Sequence, residues 1–216
     1  MKLGADALRE RFEVFGRFYW ADFGGQPLGL RSHLEIFERG KPWPQAVTAR
    51  ADLVAVMMNP GGSRPLDELD SAGWAPTLPD RTQYQLMKLA LLAQAAGHAI
   101  HHIRVINLSD LRTPKSAELF ANLATLNDDR HSLFSASRQS ELHTALGNAN
   151  PSPLLRAWGL APQLNPLARK AVAATGQCKV LGLTDNGLAY RHPLPQRADF
   201  QQRWLDDMAQ QMASTL

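Results

Sequence analysis

Apolar residues along this chain fall into spaced runs and unbroken blocks. Over residues 6–20, Leu8, Phe12, Phe15, Phe18 and Tyr19 recur at helical spacing, which predicts an amphipathic helix. A second short helix is predicted around 30–39, ending at Gly40, with Lys41-Pro42-Trp43-Pro44 as an extended connection. Residues 53–58 are then continuously apolar and stop at Asn59-Pro60-Gly61-Gly62. A run without alternation reads as a strand covered on both faces, as in a parallel sheet. Residues 81–96 predict a helix with Leu86, Leu89, Ala90 and Ala93 on one face, stopped by Gly97, and 103–108 a second strand. Thr113-Pro114 has the form of an N-cap followed by proline, opening a helix to about 124. A helix over 133–146 ends at Gly147, and 153–158 is a short third strand ending at Gly159. Asn165-Pro166 opens a helix closed by Gly176, 179–183 is the fourth strand, and 199–213 closes the chain as a helix.

Strand–helix alternation of this kind predicts an α/β fold. The expected architecture is a three-layer αβα domain over residues 1–216, with a mainly parallel four-stranded central sheet. Residues 1–50 are expected to pack on it as a helical cover. The hydrophobic content of 44% and charged content of 20% suit a globular core. One cysteine, Cys178, fits a reducing cytoplasm, and no apolar run has the form of a signal peptide or a membrane span. A net charge of +3 and a pI near 9.2 permit a nucleic-acid partner without demanding one.

In parallel α/β sheets ligands sit at the carboxyl ends of the strands. Strand one is followed by Asn59, Pro60, Gly61, Gly62, Ser63 and Arg64, and strand two delivers Asn107, Ser109 and Asp110. Strand three ends in Trp158-Gly159, and strand four leads through Thr184-Asp185-Asn186-Gly187 to Arg191-His192-Pro193-Leu194-Pro195. Each strand end thus carries a polar or glycine-rich element. No P-loop, dinucleotide fingerprint or nucleophile elbow is present. His98, His101 and His102 lie together without cysteine or carboxylate at ligand spacing, so a solvated turn is expected and no metal or other cofactor.

In this order the strand ends resemble the uracil-DNA glycosylase superfamily, most closely its mismatch-specific branch. The resembling segments are Val56-Met57-Met58-Asn59-Pro60-Gly61, Val105-Ile106-Asn107, 154–159 with its Trp-Gly ending, and His192-Pro193-Leu194-Pro195. The layout is also similar to that of an uncharacterised bacterial domain family, and it spans roughly residues 50–197. The resemblance implies a monofunctional DNA glycosylase that takes a flipped base from DNA, and a monomer is expected. Asn59 would hold the attacking water, His192 would donate a hydrogen bond to the departing base, and Asn107 would read the base edge. Pro60, Gly61 and Ser109 would border the base, and Tyr84, or Trp74, would stack on it. Gly62 and Ser63 would approach a phosphate through the backbone, with Arg64, Lys115, Arg191, Gln196 and Arg197 facing DNA; Arg81 is a further candidate.

Departures from these motifs shape the expected substrate. Leu194 replaces the small residue after the histidine, Gln196 takes the wedge position, and no tyrosine follows Pro60 directly. The segment from Leu183 to His192 is also longer than expected. A roomier pocket follows, for a modified or bulky pyrimidine such as phage DNA carries. The alternatives are an N-glycosidase of free nucleosides or nucleotides, a catalytically silent module that recognises modified DNA, and an enzyme in which Asp110 or Asp185 is the general base.

Overall fold

The computed structural model describes residues 3–41 and 49–216. Pro42-Trp43-Pro44, the core of the predicted extended connection, lies outside the described residues. The chain runs α1 (Ala5–Arg11), β1 (Phe12–Asp22), β2 (Pro27–Glu38), β3 (Leu53–Met57), β4 (Trp74–Pro76), α2 (Arg81–Ala95) and β5 (His102–Asn107). It continues through α3 (Ser116–Thr125), α4 (Gln139–Leu146), β6 (Leu154–Arg156), α5 (Asn165–Ala174), β7 (Val180–Leu181) and α6 (Ala198–Thr215). The sheet has seven strands in the order β4-β1-β2-β5-β3-β6-β7.

The four strands expected from their apolar runs are β3, β5, β6 and β7, and they pair parallel to one another. The expected helical cover is corrected. Residues 12–38 form an antiparallel hairpin, which joins β5 antiparallel and carries the short β4 on its far edge. The sheet is therefore mixed and wider than four strands. Phe12, Val14, Gly16 and Phe18 are buried while the residues between them are partly exposed, a period of two that fits a strand with one covered face. The same aromatic residues also satisfy a three-to-four spacing, which is why a helix was the expectation. Gln26-Pro27, after Gly24 and Gly25 at positive φ, turns the chain back.

Helices cover both faces. Leu8 of α1, Leu86, Leu89 and Ala90 of α2, and Trp204, Leu205 and Met208 of α6 pack with Leu34, Leu53, Ala55 and Val105 of the sheet. On the other face Leu119, Leu142, Ala145, Leu167 and Ala171 of α3, α4 and α5 pack with Leu30, Val54, Val56 and Ile106. We call these the α2 face and the α5 face. Among the described residues no helix is long and apolar enough to cross a membrane.

A buried ionic network ties the hairpin to β5. Arg104, in register with Glu35, donates Nε to its carboxylate at 2.7 Å and its other nitrogens to the carbonyls of Ala145 and Ala49. His102 Nε2 meets the second oxygen of Glu35 at 2.5 Å.

Candidate functional site

Side chains alternate across a strand, and that alternation sorts the strand-end residues by face. Met57 packs on the α2 face and Met58 against the α5 face, so Asn59 follows Met57. Ile103 and Val105 lie on the α2 face, which puts Asn107 there too, in register with Met57.

Asn59 Nδ2 donates to the carbonyl of Thr113 at 2.9 Å, to its hydroxyl at 3.0 Å and to the carbonyl of Leu111 at 3.2 Å. The amide is thereby oriented. Its NH₂ end is spent on the loop after β5, and its Oδ1 accepts nothing from the described residues. Thr113 serves this bond rather than capping α3, whose N-cap is Lys115. The turn that follows is held by a weak bond from the Ser63 amide to the Pro60 carbonyl at 3.4 Å, with Gly61 at φ 61°. Arg112 Nε donates to the Ser63 carbonyl at 2.9 Å, and the Ser63 hydroxyl lies 3.3 Å from that of Thr77.

Asn107 is fully buried, and neither its Nδ2 nor its Oδ1 meets a hydrogen-bond partner among the described residues. Leaving both ends of a buried amide unpaired is costly, so this side chain is suited to a ligand that offers both a donor and an acceptor.

His192 reaches the same edge by a different route. Thr184 and Asn186 bond the backbone of residues 186–189, closing the long segment after β7 into a small turn. Tyr190 then bridges to Gly159, at the end of β6, and Arg191 bonds back to Leu183. His192 therefore emerges beside the carboxyl end of β6. Pro193 is held to α2 by Gln85. The Leu194 amide donates to His192 Nδ1 at 3.1 Å, which leaves the ring proton on Nε2. Burial holds the imidazole below its ordinary pKa, against the raising influence of Asp80. The neutral ring thus presents an Nε2–H donor. It lines a mainly apolar cavity of about 360 Å³ with Leu160, Leu183, Phe200 and Trp204.

One residue of this edge was not expected from the sequence. Arg31, on β2, pairs with Phe18 of β1, and Phe18 continues the α2-facing series of Phe12 and Val14. Arg31 is only 2% exposed, yet Nε and one terminal nitrogen have no hydrogen-bond partner among the described residues. A helix expected over 30–39 hides its place within β2, beside the carboxyl end of β5. Across β2, β5, β3 and the segment beside β6, the α2 face thus carries Arg31, Asn107, Asn59 and His192 along one edge.

Other expected residues lie elsewhere. Ser109 is buried, with its hydroxyl 3.0 Å from His131 Nδ1 and bonded by the Leu111 amide, so it supports the loop. Asp110 is also buried. Its carboxylate accepts from Arg138 at 2.6 Å and from Tyr19 at 2.9 Å, residues that line a separate cleft between the hairpin and α4. Burial pushes Asp110 up to about 6 despite those partners. The structure thus turns Asp110 away from Asn59. Asp185 is exposed and paired with Arg191 at 3.3 Å. The Tyr84 hydroxyl accepts from Arg9 of α1 at 3.2 Å, and Trp74 packs against His33.

Pro60 is buried, Gly61 partly so, and Gly62, Arg64, Arg81, Lys115, Arg191, Gln196 and Arg197 are exposed. Arg197 is bidentate to Asp199 and stacks on Phe200 at 4.7 Å. His101 and His102 each engage a glutamate, Glu38 and Glu35. Among the described residues no group of three or more histidine, cysteine, aspartate or glutamate side chains could hold a metal ion.

Comparison with protein-family models, with curated proteins and with solved structures gave no match to this chain.

Proposed function

We propose that the chain is a DNA glycosylase that hydrolyses the N-glycosidic bond of a modified pyrimidine and leaves an abasic site. The observation that carries this reading is the orientation of three side chains on one edge. Asn59 has its NH₂ end tied down, so its carbonyl oxygen is the end free to accept from water. His192 has Nδ1 occupied, so its Nε2–H is the end free to donate. Asn107 keeps both ends of its amide for a ligand.

Breaking a glycosidic bond develops positive charge on the sugar and negative charge on the departing base. A neutral amide positions water without taking its proton, which suffices when departure of the base leads and water follows. A neutral imidazole donor stabilises the charge on the base. A buried amide reads the edge of a base taken out of the stack. The exposed Arg64, Lys115, Arg191 and Arg197 suit a polyanionic partner.

The test is incubation with DNA carrying defined modified pyrimidines, followed by hot alkali to reveal abasic sites, alongside the corresponding free nucleosides. Strand cleavage that vanishes in Asn59→Ala and His192→Ala is the expected result. Release of base from nucleosides alone would move the reading to a nucleosidase. Binding of modified DNA with no abasic product would make the chain a recognition module.

A further inference from the structure

Between the pairs Leu34–Val105 and Leu30–Leu111, three residues of β2 face five of the β5 side. The Arg31 amide still bonds to the Asp110 carbonyl at 2.9 Å, and the two strands part between that bond and the pair Leu34–Val105. Four residues whose buried polar atoms have no partner among the described residues flank this opening: Arg31, His33, Asn107 and Asp110. His33 follows Glu35 on the α5-facing side, against Trp74, and Asp110 turns to Arg138. Arg31 and Asn107 remain, on neighbouring strands and on the α2 face.

Arg31 forms no ion pair among the described residues, although a buried arginine is ordinarily matched by a carboxylate. Asp80 and Asp110 are near enough to favour its charge, but Asp80 caps α2 through the Gln83 amide and Asp110 is bonded to Arg138. Arg112 opposes that charge, and Arg64 in turn opposes Arg112. Burial draws the Arg31 pKa down to about 10, which leaves the group charged at neutral pH. The stem of Arg31 crosses Gly16, where a Cβ would stand 3.2 Å from its Cδ. The architecture of β1 thus makes room for a charged side chain that it does not neutralise.

We propose that Arg31 is a specificity-determining residue that binds an anionic substituent, a carboxylate or an equivalent oxyanion, on a pyrimidine whose edge Asn107 reads. The proposal rests on the base-excising reading for the identity of the ring. Depth argues against the DNA backbone as the source of the anion, because phosphates are met at the surface and Arg31 is 2% exposed. Charge-assisted hydrogen bonds to guanidinium favour a carboxylate, which matches its fork.

The experiment is calorimetric binding of the free bases 5-carboxyuracil and uracil to the full chain, to Arg31→Met and to Arg31→Lys. Wild type is expected to bind 5-carboxyuracil about 10–100-fold more tightly than uracil, the range for a charged hydrogen bond. Arg31→Met should erase the difference, and Arg31→Lys should keep part of it. Thermal unfolding without ligand supplies a second readout. Methionine removes an unpaired buried charge, so Arg31→Met should unfold at the same or a higher temperature. Equal or undetectable binding of both bases by wild type overturns the proposal. So does a preference that survives in Arg31→Met, or an Arg31→Met chain that is destabilised while Arg31→Lys is not, which would make the arginine structural. Abasic-site formation from DNA without any preference for the carboxylated base would sink this proposal alone. The preference without excision from any DNA would sink the glycosylase reading and leave the anion-binding role of Arg31 standing.

Discussion

The Nδ2 of Asn59 lies 2.9 Å from the carbonyl oxygen of Thr113, and this bond locks the turn after β3 to the loop after β5. It also decides which end of the Asn59 amide is offered to solvent. Asn59→Ala is therefore expected to lower base excision by about 100-fold or more, the scale of a lost positioning group. Asn59→Asp is expected to be worse for the fold. Its second oxygen would face the carbonyls of Leu111 and Thr113, acceptors opposite an acceptor, at a cost of about 1–3 kcal/mol. Urea unfolding of the two variants, beside single-turnover excision, separates these effects. An aspartate variant as stable as wild type would mean that the amide is not oriented as described.

The bond from the Leu194 amide to His192 Nδ1 gives a pH expectation. Burial lowers the pKa of His192 from 6.5, and burial also lowers those of His33 and His131. All three should titrate below ordinary histidine in NMR spectra of the folded chain. Below pH 6.5 the unfolded chain takes up protons that these folded rings refuse, so stability falls as pH drops through that window. Asp110 acts in the opposite sense. Its folded carboxyl holds a proton up to about 6 while the unfolded one releases it near 3.8, so its contribution falls as pH rises between them. Protonated His192 would turn Nδ1 into a donor against the Leu194 amide, so the acid limb of excision should also lie below pH 6.5. His192→Ala should lower the rate about 100–1,000-fold. A limb at or above 6.5 that tracks His192 would contradict the neutral ring.

How much of this was legible in the sequence depends on the period of each segment. The segments at 53–57 and 102–107 are buried throughout because helices cover both faces, and their strand-end amides follow directly. The hairpin was hidden because Phe12, Phe15, Phe18 and Tyr19 fit a helical spacing as well as a strand, and because 30–37 is buried throughout. With no alternation in β2 and no turn motif more specific than Gly24-Gly25, the period alone could not choose. That ambiguity cost the site Arg31. The partners of Ser109 and Asp110 were not legible for another reason: beyond Asn107 the chain bonds to His131 and Arg138, contacts more than twenty residues distant that no local pattern announces.

Glu35 offers a test of how the hairpin is joined to the parallel strands. Its carboxylate satisfies both Arg104 and His102 in a site where Arg104 is 1% exposed. Glu35→Ala would leave the guanidinium with only two carbonyl partners and an unbalanced charge. The expected loss is about 3–5 kcal/mol, the range for breaking one side of a buried ion pair. Glu35→Gln, which keeps a hydrogen-bonding oxygen, should lose less. Chemical denaturation of both variants gives the ranking, and an alanine variant within about 1 kcal/mol of wild type would show that the pair contributes little.

Gly16 is the position where the hairpin and the candidate site constrain each other most directly. A Cβ there would stand 2.7 and 2.8 Å from the Phe18 ring and 3.2 Å from Arg31 Cδ. The ring cannot simply swing away, because the Arg112 guanidinium lies over it at 5.3 Å and is itself bonded to Ser63. Gly16→Ala should therefore cost about 1–3 kcal/mol through overpacking, and should weaken ligand binding by displacing Arg31. Gly176→Ala is the control, since its nearest neighbours stand at 3.8 and 3.9 Å, and it should change stability by no more than about 0.5 kcal/mol. If Gly16→Ala and Gly176→Ala unfold at the same denaturant concentration, Phe18 and Arg31 are not packed over Gly16 as described.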